Sequence, residues 1–98
     1  MSGSVVDDLS ALRAAIDERI ARVRDGSLSL HDALTSGTGE SVEDVGSRFV
    51  YVVKILEVVP GVGKVRARRV LDGVGLGERD RVGDLSVETR TQILRELA

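Results

Sequence analysis

The 98-residue chain has no cysteine and no tryptophan, and it has single copies of proline, histidine, phenylalanine and tyrosine. Without cysteine there is no disulfide, thiol nucleophile or thiolate metal site, and one histidine is too few for a His/Cys metal cluster. Two aromatic rings give little capacity for stacking unpaired bases. Long apolar runs are also missing. The greasiest stretch, residues 49–59, contains Lys54 and Glu57 and is too short to span a bilayer. The first eight residues lack the basic and apolar pattern of a secretory leader. These absences lead to the expectation of a cytoplasmic protein with no membrane partner, no metal and no cofactor. What is present is 42% apolar residues. They must supply a single core, because a domain of this size buries only about 60–65% of its unfolded surface.

The formal net charge of −2 argues at first against a polyanionic partner, but the charges are segregated. Residues 1–60 sum to −4 and residues 61–98 to +2. Residues 61–69 hold Lys64, Arg66, Arg68 and Arg69 with no acid, whereas residues 35–46 hold Glu40, Glu43 and Asp44 with no base. A net negative charge therefore leaves room for a local basic site.

Periodicity predicts an all-α fold of about five helices. Val5, Leu9, Leu12, Ile16, Ile20 and Val23 recur at helical spacing and mark one buried stripe over residues 5–24, with Gly26 as the stop. Ser29 and Asp32 have the spacing of a cap on a short helix over residues 30–34, and residues 35–40 read as a loop. The run Phe49 to Val59 is rich in β-branched residues. Its polar positions Ser47, Tyr51, Lys54 and Glu57 recur every three or four residues, which predicts one long core helix from Ser41 to Pro60. A helix over residues 64–72 ending at Gly73, at most one helical turn in 78–85, and a last helix capped by Ser86 complete the prediction. The expected organisation is a single domain over residues 1–98, with an N-terminal helix in 1–25 and a helical module in 41–98.

The chemically informative string is Val58-Val-Pro-Gly-Val-Gly-Lys-Val-Arg-Ala-Arg-Arg69. Two glycines let backbone approach a ligand closely, and the new helix begins with amides that lack intrahelical acceptors. Its dipole favours an anion there, and Lys64 adds a charge. A nucleic-acid phosphate fits such a site without being read for sequence. A plain helix–helix turn with a solvated arginine face fits the same string. A Walker loop does not, because Val65 stands where a hydroxyl is required, and no strand precedes the glycines as a dinucleotide site needs.

Pro60-Gly-Val-Gly-Lys-Val-Arg-Ala67, followed by a helix, a Gly-Leu turn, Asp80-Arg-Val-Gly-Asp-Leu85 and an amphipathic end, resembles the actinobacterial integration host factor family. The similarity extends upstream through Ser29-Leu-His-Asp-Ala-Leu34 to the N-terminal helix. The resemblance implies a helix-two-turns-helix, nucleoid-associated protein that binds duplex DNA through its backbone with low sequence specificity. It places the phosphate-binding loop on Gly61, Val62, Gly63 and Lys64, with Arg66 and then Arg68 or Arg69 following. A second basic run matches less well: Arg81 keeps its place, Asp80 and Gly83 stand where arginines are typical, and Asp84 is beside them. Arg79 is placed to compensate in part. The resemblance also implies that the N-terminal helix can contribute to a second DNA contact, for which Arg13, Arg19, Arg22 and Arg24 are the candidates. Interspersed acids favour a solvated face for them instead. His31 reads as a surface or packing residue, and Tyr51 as a half-buried packing residue.

Two further readings stay open. One is a protein-interaction module that kept the fold and lost DNA affinity, motivated by the acidic first half and by Asp80, Gly83 and Asp84. The other is a structured-RNA binder. Catalysis is the least expected class, since no nucleophile–histidine pair or metal spacing exists, and no small-molecule substrate is expected.

Overall fold

Three of the helices begin at a serine whose hydroxyl accepts the amide three residues on. In the computed structural model, which describes residues 4–97 and side-chain surroundings from residue 9, these are Ser29 to Asp32, Ser41 to Asp44 and Ser86 to Thr89, at 3.1, 3.1 and 3.0 Å. Each replaces an acceptor that the first turn lacks. The element order is α1 (Ser4–Arg24), α2 (Leu30–Ala33), α3 (Val42–Phe49), α4 (Val52–Val58), α5 (Gly63–Gly73), a 3-10 turn (Val82–Asp84) and α6 (Val87–Glu96). The fold is all-α, as expected.

The expected long helix is broken. Val50 and Tyr51 are extended, with ψ near 140° and 136°, and they separate α3 from α4. The local β propensity is realised because a partner is present. The Val82 amide donates to the Val50 carbonyl and the Val52 amide to the Asp80 carbonyl, both at 2.9 Å, around an isolated Tyr51–Arg81 bridge. The periodic polar pattern misled at Ser47 as well, which is 3% exposed. Its hydroxyl donates to the Asp44 carbonyl and accepts from the Gly37 amide, at 2.7 and 2.8 Å.

The core gathers on α4. Val50, Val52, Val53, Ile55 and Leu56 are buried together with Ala67, Val70 and Leu71 of α5, Val82, Ile93 of α6, Val23 of α1, and Ala33 and Leu34 of α2. α1 packs mainly on α3 and α4 through its C-terminal half, where Ile16 and Ile20 join this cluster. Its predicted stripe does not continue inward toward the start of the helix: Leu9 is 60% exposed, and the Val5 side chain lies outside the described residues. α5 runs through Gly73 and stops at Gly75 instead, whose φ is +80°. The Leu76 amide reaches back to the Leu71 carbonyl at 2.9 Å and the Gly75 amide to Asp72 at 3.2 Å, a Schellman ending. Among the described residues no helix is long and apolar enough to cross a membrane.

Candidate nucleic-acid interface

Pro60 ends α4 because its ring disfavours helical conformation at Val59, which is extended (ψ 126°). Pro60 and Gly61 then occupy the corners of a turn closed by the Val62 amide on the Val59 carbonyl at 3.0 Å. Gly61 and Gly63 have φ of +86° and +75°, which a side chain would strain, so both glycines are required by the turn itself. α5 emerges directly from it. Unlike α2, α3 and α6, α5 has no side-chain cap, and the amides of Gly63, Lys64 and Val65 lack intrahelical acceptors by position. Among the described residues Lys64 and Arg69 have neither a hydrogen-bonded nor an ion-paired partner, and both are exposed.

The other cations of α5 are separated by the helical rotation. Arg66 Nη2 donates to the Glu96 carbonyl at the end of α6 at 3.2 Å. Arg68 faces the loop after α5 and lies 3.4 Å from Glu78 Oε2. Ala67, Val70 and Leu71 occupy the face between them and are buried.

Arg79 and Arg81 lie by the other end of α4, about 10 Å from the glycine turn by helical rise. Arg79 is exposed. Arg81 Nη2 donates to the Tyr51 hydroxyl at 3.3 Å, and this bond, together with the charge of Arg81 and then of Arg79, holds the Tyr51 phenol below the usual tyrosine pKa. Tyr51 is half-buried, as expected, but it lies in the extended break and not on the polar face of a helix. Its pairing with Arg81, whose guanidinium also lies over the Phe49 ring, is not written in the helical periodicity, although one signal was available. The two aromatic residues of the chain stand two positions apart.

The acids of this segment have structural duties. Asp80 Oδ2 accepts the Gly77 amide at 2.6 Å and Asp84 Oδ2 accepts the Arg81 amide at 3.3 Å. Gly83 lies against α3: a Cβ there would stand 3.0 Å from Arg48 Cβ and 3.1 Å from its carbonyl oxygen. An arginine at 83 would require the end of α3 to give way.

On α1, Arg19 is half-buried and braces the loop after α2, its Nη2 donating to the carbonyls of Asp32 and Thr35 at 2.8 and 3.0 Å. Burial first, and then the neighbouring Arg22, disfavour its charged form. Arg13, Arg22 and Arg24 are exposed. His31 is exposed, 3.5 Å from Asp32 Oδ1.

The profile of the S13-like H2TH domain matches residues 23–97. The integration host factor of Streptomyces coelicolor is 30% identical over 93 residues, spanning 95% of this chain and 83% of that protein. A solved structure described as sIHF bound to an 8 bp palindromic DNA superposes with a TM-score of 0.78 at 29% identity, covering 94% of this chain and 99% of that one. The chain belongs to the S13-like H2TH domain family and, within it, to the actinobacterial integration host factors.

Proposed function

We propose that this protein binds duplex DNA without catalysing a reaction, as a nucleoid-associated protein of the cytoplasm that grips the phosphate backbone with little sequence specificity and bends the duplex. The observation that carries the reading is the uncapped start of α5 behind two left-handed glycines, with Lys64 beside it and free of partners among the described residues. Open amides, the helix dipole and a lysine converge there on a site for one anionic group. The match to a DNA-bound relative supports the duplex as the source of that group. In this reading Gly61, Val62, Gly63 and Lys64 cradle a phosphate, Arg69 and Arg66 extend the contact along α5, Arg68 joins on leaving Glu78, and Arg79 and Arg81 reach a second stretch of backbone. Residues 41–98 form the binding module and α1 braces it. Asp80 and Asp84, which together with the acidic first half motivated a protein-interaction module, are engaged with main-chain amides of their own turns, which weakens that part of the motive.

The test uses Lys64→Glu combined with Arg69→Glu, because neither side chain holds another described residue in place. Affinity for a mixed-sequence duplex at about 50 mM salt is expected to fall at least roughly tenfold, with far-UV circular dichroism unchanged. Unchanged affinity overturns the site assignment. Stronger competition by duplex RNA than by DNA of the same length would transfer the site to RNA. Bending is read from the end-to-end distance of a doubly labelled duplex, and an unchanged distance on binding removes that part of the proposal.

A further inference from the structure

The chain's two aromatic side chains enclose one cation. The guanidinium carbon of Arg81 lies 5.2 Å from the centroid of Phe49 and 5.1 Å from that of Tyr51, within the range of a cation–π contact to each. Arg81 Nη2 also donates to the Tyr51 hydroxyl at 3.3 Å. The main chain of Arg81 is held too, by its bridge to Tyr51 and by the bond from its amide to Asp84 Oδ2 at 3.3 Å. A surface arginine ordinarily keeps most of its rotamer freedom and loses it on binding. Here that freedom is already reduced.

Two details indicate what the enclosure is for. Phe49 is 45% exposed, so burial in the core does not account for its position. Ring contacts consume no N–H, and of the five donors of a guanidinium only one meets the tyrosine oxygen. The remaining donors are available to an anion, in the fork geometry that matches a phosphate. Arg81 is moreover the one cation in residues 80–84, flanked by Asp80 and Asp84. Contact with a polyanion here falls on Arg81 and the neighbouring exposed Arg79 alone, so the orientation of Arg81 matters.

We propose that Phe49 and Tyr51 are positioning residues for Arg81, holding its guanidinium in one orientation ahead of contact with a backbone phosphate of the duplex. The proposal rests on the DNA-binding reading above, and it assigns to the α3–α4 break a role beyond ending a helix. The break brings both rings within 5.2 Å of the guanidinium carbon of the residue whose main chain bridges it.

The experiment measures affinity for a mixed-sequence duplex by fluorescence anisotropy over a range of salt, with thermal melting as a check that each variant folds. Phe49→Leu keeps bulk and removes the ring, and it is expected to weaken binding about 3- to 10-fold. Phe49→Tyr keeps the ring and is expected to bind like the parent. Arg81→Gln is expected to reduce the steepness of log affinity against log salt by about 0.9, one phosphate's worth. Adding Phe49→Leu to Arg81→Gln is expected to cost less than about twofold more, since the ring then has no cation to hold. Unchanged or tighter binding by Phe49→Leu, a full loss that persists without Arg81, or an unaltered salt slope in Arg81→Gln overturns the proposal. The Lys64→Glu/Arg69→Glu protein separates the two readings: a loss there with none at Phe49→Leu overturns this inference alone, whereas no binding by the parent overturns both.

Discussion

The cations of this fold differ in what engages them, and side-chain chemistry alone does not distinguish them. Arg19, Arg48 and Arg66 direct their donors at carbonyls: Arg19 at Asp32 and Thr35, Arg48 at Gly37 and Gly39 (2.6 and 2.9 Å), and Arg66 at Glu96. Lys64, Arg69 and Arg79 have no partner among the described residues. Arg81 belongs to neither group, being fixed by rings and a hydroxyl. Its pairing is open to a direct optical measurement, because Tyr51 is the only tyrosine and there is no tryptophan. A guanidinium bonded to the phenol oxygen stabilises the phenolate, so the tyrosinate absorbance is expected to rise at a lower pH than for a free tyrosine. Arg81→Gln removes the largest cause and is expected to move the midpoint back up. A midpoint indifferent to that substitution would show that the pair does not form.

Among the described α-helix starts, those of α4 and α5 lack a side-chain cap, and the first amide of α4 is taken by the Asp80 carbonyl. α2, α3 and α6 close their first turns with Ser29, Ser41 and Ser86, whereas α5 starts behind Val62, which offers no cap. An open start is tolerable where water or a ligand supplies acceptors, and the turn at Pro60–Gly63 places it at the surface. The break between α3 and α4 has its own signature. In a continuous helix the Val50 carbonyl would accept from Lys54; here it accepts from Val82, and Lys54 bonds to Tyr51 at 3.1 Å. The Val82 amide is therefore expected to exchange with deuterium far more slowly than the exposed loop amides near it, such as that of Glu78. Exchange at the same rate as those amides would restore the single helix.

For the molecule as a whole, the opposite charge of its two parts governs how a polyanion approaches. The first 60 residues repel it at −4 and the remainder attracts it at +2, so the cationic surface is small relative to a body measuring 46 × 26 × 19 Å. The slope of log affinity against log salt counts the phosphates neutralised, at about 0.9 each. With Lys64, Arg69, Arg79 and Arg81 available and Arg66 and Arg68 partly engaged, a slope of about −3 to −5 is expected for one bound duplex. A slope steeper than about −8 would mean that a second surface joins the contact, for which the exposed Arg13, Arg22 and Arg24 of α1 are the cations at hand.

Features that depend on a few consecutive residues were legible without coordinates: the serine caps, the left-handed glycine after α1, the turn at Pro60–Gly63 and the single helical turn before Ser86. Their physics is local, a backbone dihedral or a hydroxyl within reach of an amide three positions on. The departures share the opposite character. Val50 and Tyr51 left the helix because residues 80–82 offered them hydrogen bonds, Ser47 turned inward because Gly37 and Asp44 could satisfy its hydroxyl, and Leu9 stayed in solvent because no described element covers that part of α1. The same holds at the site. The glycine loop and Lys64 could be read from a string, but the enclosure of Arg81 joins residues 30 positions apart, and only the packing of the 3-10 turn on α3 brings them together. Helical periodicity records which side of an element is apolar; it carries no information about which distant backbone will arrive to accept or donate a bond.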